Sequence, residues 1–476
     1  MPLTKTDFIH YLNCRHSLWL QKNEPESFTA GEMSAFLLKL VEDGSVVERY
    51  VRQLFETIYP GQCAFQVVFD DSGGMYARAD VWRNGGSDGC HLYEVKSSTS
   101  VKRDAQHDHI KDACFQLIAA ERDGFRVNSI SIIHLNGAYV RSGPIDVNDL
   151  LTIADVTDEV RGVEAETLRE IEGALAWLER QDIDRMGCGC RFKSRANHCD
   201  AFTYFNRDIP KPSIYSLPRL VERKRRDLLD LGVLSLHDIP GDFALSPSQH
   251  ALVAATQAGA PVINHRALAE FLDRLVYPLY FFDYETYASA IPIIDTLSPY
   301  AHLPVQYSLH VLHEDGSLEH REFLEEEKLP PKRLIEALKD HIGDTGNLVS
   351  WHASFEKTRN RDMAKNYPEH AAFLESLNER TVDLEDLFKT AYVDAAFDGY
   401  TSIKKVLPVL CPDLSYADLA VRDGTGAMEA WSRLVDPATP QEELHRISED
   451  LRAYCHLDTL AMVRIFQFIQ TLITTR

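Results

Sequence analysis

The chain has 476 residues, 45% of them hydrophobic and 26% charged, and its formal net charge at pH 7 is −22. At roughly 100–200 residues per domain, this length predicts two to four domains. The acidic balance excludes a protein that coats nucleic acid without specificity, because such a protein presents a basic surface. The acidic balance is compatible with an enzyme that uses carboxylates to bind metal ions.

Targeting signals and membrane spans are not expected. Residues 1–7 lack the basic and apolar regions of a secretory signal, and no apolar run approaches the roughly 18 residues that cross a bilayer. We therefore expect a cytoplasmic protein with no membrane partner. Clustered cysteines in such a protein bind metal more often than they form disulfides.

The first predicted segment, residues 1–205, alternates helical and strand patterns. Helical periodicity predicts helices at residues 4–14, 31–59, 108–122 and 163–179. Apolar or alternating runs predict strands at residues 64–69, 75–82, 91–96 and 129–135. This alternation is typical of an α/β domain.

A possible catalytic motif lies on two of these strands. Asp80 ends one predicted strand, and Glu94 and Lys96 alternate to the same face of the next. The pattern resembles the core of PD-(D/E)XK nucleases, which implies that Asp80 and Glu94 bind metal and that Lys96 positions or deprotonates water. Gln116 lies on the following helix, where RecB-type nucleases carry a glutamine. The alternative is a chance spacing, because strands ending in a Glu–Lys pair are common.

Four cysteines flank this motif: Cys14 precedes it, and Cys188, Cys190 and Cys199 follow it. The layout resembles the iron–sulfur RecB-type nucleases, namely the CRISPR-associated four-cysteine exonucleases and the AddB subunit. That resemblance implies a 4Fe–4S cluster that ties both ends of the domain together. Zinc is the alternative metal, either on these thiolates or on three cysteines with His198, and a site without metal is a further alternative.

Two positions depart from the iron–sulfur family. Val47 and Ala120 stand where that family often has histidine and tyrosine. The Cys188–Cys190 spacing is also closer than usual. A weak or inactive N-terminal site therefore remains an alternative.

Residues 206–275 are predicted to form a small helical connector. Pro210, Pro212 and Pro218 interrupt the chain, and short helical patterns follow. The basic run at residues 222–226 is interpreted as a solvated helix face rather than a phosphate contact.

The last segment, residues 276–476, begins with strand patterns at 279–282, 306–312 and 348–351 and continues mostly as helices. Asp283 and Glu285 follow the first strand and share one face, where they repel each other unless cations lie between them. The alternative is an Asp–Glu pair at a solvated strand end. Tyr454 and Asp458 share a helix face four residues apart.

These motifs resemble those of the DEDD exonucleases, the DnaQ-like superfamily with an RNase H-like core. The Asp-x-Glu motif is matched by Asp283 and Glu285. The second motif appears as His352-x-x-Phe355-Glu356, with His for Asn and Glu for Asp. The third, Tyr-x-x-x-Asp, is that of the tyrosine subclass. The resemblance implies two Mg²⁺ or Mn²⁺ ions and a tyrosine that orients water; the residues it assigns are Asp283, Glu285, Glu356 and Asp458 as ligands and Tyr454 as the orienting group. The segment also resembles a prokaryotic domain-of-unknown-function family that carries the Phe–Glu form.

Together these patterns predict an α/β chain with a RecB-like iron–sulfur domain (1–205), a helical connector (206–275) and a DnaQ-like domain (276–476). We expect a metal-dependent nuclease, a 3′→5′ exonuclease acting on DNA in repair or defence, with RNA as the alternative substrate. One alternative function is nucleic-acid binding with an inactive N-terminal site. Another is hydrolysis of nucleotides or small phosphodiesters by the C-terminal site alone.

Overall fold

The structure, a computed structural model, describes residues 2–29, 35–70, 74–86, 89–104 and 107–474. It is a mixed α/β protein whose chain divides into two compact units. The first unit comprises Met1–Asp208 and Ser289–Ala301, and the second comprises Ile209–Ala288 and His302–Arg476. In the described part of the chain, every helix is too short or too polar to cross a membrane.

The first unit is built on a six-stranded sheet. Its strands are β1 (Leu3–Thr4), β2 (Cys63–Asp70), β3 (Met75–Asn84), β4 (Cys90–Lys96), β5 (Val127–Leu135) and β6 (Leu151–Asp155). Its helices are α1 (Lys5–Asn23), α2 (Ala35–Ile58), α3 (His109–Arg122), α4 (Val147–Leu150), α5 (Thr157–Leu178) and α6 (Phe202–Phe205). The strand order is β1-β3-β4-β5-β6, and β2 also pairs with β3. Strands β4 and β5 are parallel, whereas β3–β4 and β5–β6 are antiparallel.

Both faces of this sheet are covered, which explains why four consecutive residues of β5, from Ile130 to Ile133, are buried. Ile132 packs in a core with Phe115 of α3 and Ile171 of α5. Its neighbour Ile133 points the other way, into a core with Phe55 of α2. The first residues of the helix predicted at 31–59 lie outside the described residues, and α2 is described from Ala35.

The second unit contains a five-stranded sheet and a two-stranded ribbon. Its strands are β7 (Val262–Ile263), β8 (Leu279–Tyr287), β9 (Leu303–Leu312), β10 (Leu318–Leu324), β11 (Asn347–Ser350), β12 (Thr381–Asp383) and β13 (Tyr392–Val393). Its helices are α7 (Glu222–Asp230), α8 (Pro247–Ala258), α9 (His265–Leu272), α10 (Lys332–His341), α11 (Ser354–Asn366), α12 (Ala371–Arg380), α13 (Asp386–Thr390), α14 (Ile403–Leu410), α15 (Gly424–Leu434) and α16 (Gln441–Thr474).

The five-stranded sheet has the order β10-β9-β8-β11-β12. The pairs β10–β9 and β9–β8 are antiparallel, and β8–β11 and β11–β12 are parallel. In β8, Phe281 packs in a core with Phe466 of α16, while Phe282 packs in a separate core with Leu334 of α10. Because both faces are apolar, β8 is held rigidly between two helical layers.

The connector predicted at residues 206–275 is not a unit of its own. All of it beyond Asp208 belongs to the second unit, because β7 pairs with β13 and the Ser216 hydroxyl donates to the Asp398 carboxylate. The basic run forms α7, and its Arg225 is buried, with Nη2 donating to the Leu220 carbonyl at 2.6 Å. The interpretation of that run as wholly solvated was therefore wrong for Arg225.

The packing of the first sheet can be tested by comparing the substitution of a buried isoleucine with that of an exposed one. Ile132→Ala should lower the free energy of unfolding by about 2–5 kcal/mol, because it removes a fully buried side chain and leaves a cavity. Ile153→Ala, in β6 of the same sheet, is the matched control: Ile153 is 40% exposed, so its effect should stay within roughly 0.5 kcal/mol. Urea unfolding followed by circular dichroism measures both, and equal losses would contradict this packing.

Candidate functional site

Three elements of the second unit bring the predicted C-terminal residues together. Asp283 and Glu285 lie on one face of β8, which continues through them rather than ending before them. Glu356 lies in the first turn of α11, and Tyr454 and Asp458 lie in α16. Asp283 and Glu285 each interact electrostatically with Glu356 and Asp458, and with each other. Residues distant in sequence therefore converge on one cluster, here called the carboxylate cluster.

A strained turn places Glu356 in this cluster. His352, between β11 and α11, has a φ of +63°, a region where Asn, Asp and His are the enriched non-glycine residues. Asp383 holds the turn by accepting from the backbone N–H groups of His352 and Ala353 at 3.0 and 3.1 Å. Histidine at residue 352 is therefore compatible with the positive φ of this turn.

Burial forces the carboxylate cluster to retain protons in the absence of cations. Burial, reinforced by Asp458, Glu356 and Glu285, raises the pKa of Asp283 well above its ordinary value. Burial likewise raises the pKa of Glu356 to about 8 and that of Asp458 to about 6. Asp283 and Glu356 are hydrogen-bonded to each other, which requires a proton on one of them. Cations would favour the deprotonated forms of the same groups.

Three neighbours of the carboxylate cluster were missed in the sequence. Tyr416 donates from its hydroxyl to Asp458 Oδ1 at 2.6 Å. Lys404 Nζ donates to the Tyr454 hydroxyl oxygen at 3.2 Å. Cys455 lies with its Sγ within 4.8 Å of carboxylate oxygens of Asp283 and Glu285. None of the three belongs to a motif, and only the position of Cys455 beside Tyr454 offered a signal.

The donor set of the carboxylate cluster fits divalent cations. Its oxygens are ligands that Mg²⁺ and Mn²⁺ prefer. Among the residues that the structure describes, Glu356 Oε2 is buried without a hydrogen-bond partner, an arrangement that is costly unless a ligand completes it. A cavity of about 510 Å³ opens beside His352 and is also lined by Arg219, Lys389 and Tyr400.

In the first unit, the predicted N-terminal residues also form one cluster, centred on Glu94. One of its carboxylate oxygens, Oε1, accepts from Lys96 Nζ at 2.7 Å and from Lys5 Nζ at 2.5 Å. The other oxygen accepts from Gln116 Nε2. Burial alone would raise the pKa of Glu94, but Lys96 and Lys5 bring it well below its ordinary value. Lys5, which the sequence did not single out, comes from the start of α1.

Asp80 lies on the other side of this cluster, in the middle of β3 rather than at its end. Its Oδ2 accepts from the backbone N–H of Val95 at 2.8 Å, and its Oδ1 accepts from Gln66 Nε2 at 3.3 Å. Burial and the charge of Glu94 raise its pKa to about 8. Asp80 and Glu48 both line a cavity of about 170 Å³, so a small ion can reach this carboxylate.

The four cysteines flanking the N-terminal motif meet in the first unit and can hold a metal ion. α1 kinks at Cys14, whose φ and ψ are −160° and 101°. The four Sγ atoms lie within 4.8 Å of one another, and those of Cys188 and Cys199 are 3.8 Å apart. His198 is not in this group: it stacks on Phe202, with ring centroids 3.4 Å apart. The fourth thiolate is therefore that of Cys14, and the group is called the four-cysteine site below.

Two indole hydrogen bonds bring α1 to the chain that follows α5. Trp19 Nε1 donates to the Arg180 carbonyl at 2.9 Å, and Trp177 Nε1 donates to the Arg15 carbonyl at 2.8 Å. They place the start of the chain beside the segment that carries the late cysteines. The protein scaffold thus supports the four-cysteine site without relying on the metal alone.

Part of the chain is similar to a known protein family. Residues 280–402 match the family described as "Domain of unknown function (DUF2779)". This range contains Asp283, Glu285 and Glu356 and ends before Tyr454 and Asp458. The match supports the expected relation to a domain-of-unknown-function family.

The chain is also similar to curated bacterial proteins. "Uncharacterized protein MG366 homolog" of Mycoplasma pneumoniae is 29% identical over 216 residues, covering 41% of this chain and 32% of that protein. "Uncharacterized protein UU173" of Ureaplasma parvum is 26% identical over 233 residues, covering 44% and 34%. The chain thus spans about a third of the length of the curated relatives it matches.

Proposed function

We propose that this chain is a metal-dependent nuclease whose second unit is a DnaQ-like 3′→5′ exonuclease domain. The observation that carries the proposal is the carboxylate cluster, in which the half-buried Asp283, three buried acids and Tyr454 converge from β8, α11 and α16. Burying acids side by side is costly. The acids would be kept together at this cost if they bind the two metal ions of a phosphodiesterase site.

The strand order supports the same proposal. In the second unit, two antiparallel pairs on one side of β8 and two parallel pairs on the other agree with an RNase H-like core. In the first unit, the order α2-β2-β3-β4-α3-β5 agrees with the helix, three strands, helix and strand of the PD-(D/E)XK core. We therefore assign the first unit to a RecB-like domain within this proposal.

The residues in and around the carboxylate cluster have three different roles in this proposal. Asp283, Glu285, Glu356 and Asp458 would hold two Mg²⁺ or Mn²⁺ ions, which when bound lower the pKa of water and offset charge on a phosphate. Tyr454 orients the attacking water by hydrogen bonding, and Lys404 fixes the Tyr454 hydroxyl through its contact at 3.2 Å. Tyr416 holds the Asp458 carboxylate in one orientation through its bond at 2.6 Å.

The cavity beside His352 supports a nucleic-acid substrate. Arg219 in its lining offers positive charge for phosphates, Lys389 is ion-paired with Glu385 and Asp386, and Tyr400 offers an aromatic side chain for a base. Because the net charge is −22, we expect phosphate contacts to be made by individual cations such as Arg219 rather than by a broad basic surface. We propose DNA as the substrate, in repair or defence, with RNA as the competing substrate in the same assay.

Binding without cleavage is the second candidate for the first unit. Both Glu94 oxygens already accept hydrogen bonds, from Lys5, Lys96 and Gln116. A metal ion at Glu94 must displace these donors or share the Glu94 oxygens with them. This observation favours a first unit that binds nucleic acid through a site of low or no activity.

Zinc is favoured at the four-cysteine site by the spacing of its sulfur atoms. A tetrahedral Zn²⁺ with Zn–S bonds of about 2.3 Å holds its sulfurs about 3.8 Å apart, as for Cys188 and Cys199. A four-iron cluster holds its thiolates farther apart, because its irons lie between them. The 4Fe–4S cluster implied by the sequence resemblance is therefore the second candidate.

Asp283→Asn should lower the turnover rate about a thousandfold, because it removes a ligand worth several kcal/mol of charge stabilisation. The measurement is the stepwise shortening of 5′-labelled single-stranded DNA with Mg²⁺ or Mn²⁺, with RNA of the same sequence as a second arm. Asp340→Asn, on the exposed surface of α10, is the matched control and should cleave normally. Full activity in a folded Asp283→Asn protein would sink the proposal.

Lys96→Ala tests the first unit in an Asp283→Asn background. If the N-terminal site is active, the background protein retains a second cleavage activity that Lys96→Ala removes and the exposed control Lys102→Ala leaves intact. Cleavage is measured on single- and double-stranded DNA and RNA. A background protein with no residual cleavage on any of these substrates supports the binding candidate instead.

Cys14→Ser should abolish metal binding at the four-cysteine site and destabilise the first unit, because metal-binding free energy supports folding. Cys63→Ser, outside this group, is the control. By elemental analysis, anaerobic wild-type protein should contain one more zinc per chain than Cys14→Ser and no sulfide, whereas iron and sulfide near four each would establish the cluster. The exonuclease activity of the second unit should survive, and a zinc content in Cys14→Ser equal to that of the wild type would contradict the assignment.

A further inference from the structure

Three histidines that belong to no motif meet in the second unit. His310 in β9 and His320 in β10 are direct cross-strand partners, so their side chains share one face of the sheet. His456 in α16 lies against both: its ring centroid is 4.8 Å from that of His310 and 4.4 Å from that of His320. One ring nitrogen from each residue lies within 4.8 Å of the other two.

Hydroxyl groups hold two of these rings in place. His310 Nδ1 is 2.8 Å from Thr459 Oγ1, and His320 Nε2 is 3.0 Å from Ser308 Oγ. The two hydroxyls are themselves hydrogen-bonded at 2.7 Å. Each of these two imidazoles thus uses one nitrogen for orientation, which leaves its second nitrogen as the ligand atom. Metal-binding histidines in proteins are oriented in this way.

The burial of the three rings suits an ion that enters from solvent. His310 is buried, His456 is half-buried and His320 is exposed, so the group is anchored at one end and open at the other. It shares no residue with the carboxylate cluster or the four-cysteine site. Imidazole ligands select Zn²⁺, Cu²⁺ or Ni²⁺ over Mg²⁺, so the chemistry differs from that of the carboxylates.

We propose that His310, His320 and His456 form a metal site that binds one first-row transition dication, with Zn²⁺ as its natural probe. Three imidazoles supply three of the four tetrahedral positions and leave one for water or a ligand. The bound ion would join α16 to the β9–β10 hairpin. Since α16 also carries Tyr454 and Asp458, the ion would fasten the helix that completes the carboxylate cluster.

The test is a Co²⁺ and Zn²⁺ titration of metal-stripped full-length protein. Excess Mg²⁺ is kept present to fill carboxylate sites. Thiolate-bound Co²⁺ gives an intense near-ultraviolet charge-transfer band, whereas imidazole-bound Co²⁺ gives visible bands alone, so the two sites are read separately. We expect one equivalent bound with the imidazole signature, in addition to any bound by the cysteines, and a melting temperature raised by Zn²⁺.

His320→Ala is the primary variant, because His320 is exposed and its loss leaves the core intact. This substitution should lower the affinity for the imidazole-bound metal ion at least tenfold without changing the thiolate band. Thr459→Val should weaken it about tenfold, the effect of losing the group that orients a ligand. His313→Ala, on the same hairpin and outside the group, is the matched control and should bind normally.

Three outcomes would overturn the proposal. The first is wild-type protein that binds no equivalent with the imidazole signature. The second is His320→Ala protein with unchanged affinity, and the third is an equal loss in His313→Ala. Because binding is measured rather than cleavage, failure of this site is distinguishable from failure of the proposed nuclease function.

Discussion

Electrostatic repulsion within the carboxylate cluster is the constraint around which the second unit is organised. Asp283 and Glu285 share one face of β8, and Glu356 and Asp458 approach from two helices. Such a cluster stays closed only if the scaffold resists the repulsion and if protons or cations compensate the charge. The two apolar cores that clamp β8 provide the first condition. The raised pKa values of the acids meet the second in the metal-free protein.

The first unit solves a similar electrostatic problem differently. Its acid Glu94 is surrounded by cations of the same chain, Lys5 and Lys96, so the charge is compensated internally. The carboxylate cluster has Lys404 as a neighbouring cation, which is too little charge for four acids. The first unit therefore compensates Glu94 with its own lysines, whereas burial raises the pKa values of Asp283 and Glu356 in the carboxylate cluster.

Resemblance to the motif order of known families predicted which residues meet, whereas periodicity placed the helices and strands that carry some of them. Asp283, Glu356 and Asp458 were placed in this way, and so was Cys14 with the later cysteines. The sequence did not reveal Lys5, Tyr416 or Lys404, since a residue that reaches a site by its side-chain length alone leaves no periodic signal.

The prediction also failed where local pattern and tertiary structure diverge. β10 is polar along most of its length because it is an exposed edge strand, and β12 has three residues, so neither gives a recognisable run. The connector at 206–275 was separated on account of its prolines, yet the pairing of β7 with β13 makes it part of the second unit. The group of His310, His320 and His456 gave no signal in the sequence because its members belong to no motif.

The segment Ser289–Ala301 belongs to the first unit although it joins β8 to β9 of the second. Ala290 is fully buried in a core with Val51 and Phe55 of α2, and its backbone N–H donates to Asp43 at 3.4 Å. A fragment that begins after residue 208 would therefore contain Ser289–Ala301 without the core against which it packs, and its apolar side chains would be exposed. Along the chain, the first unit is made of two segments separated by part of the second unit. Joining or splitting a gene at a single point would therefore not yield two complete domains.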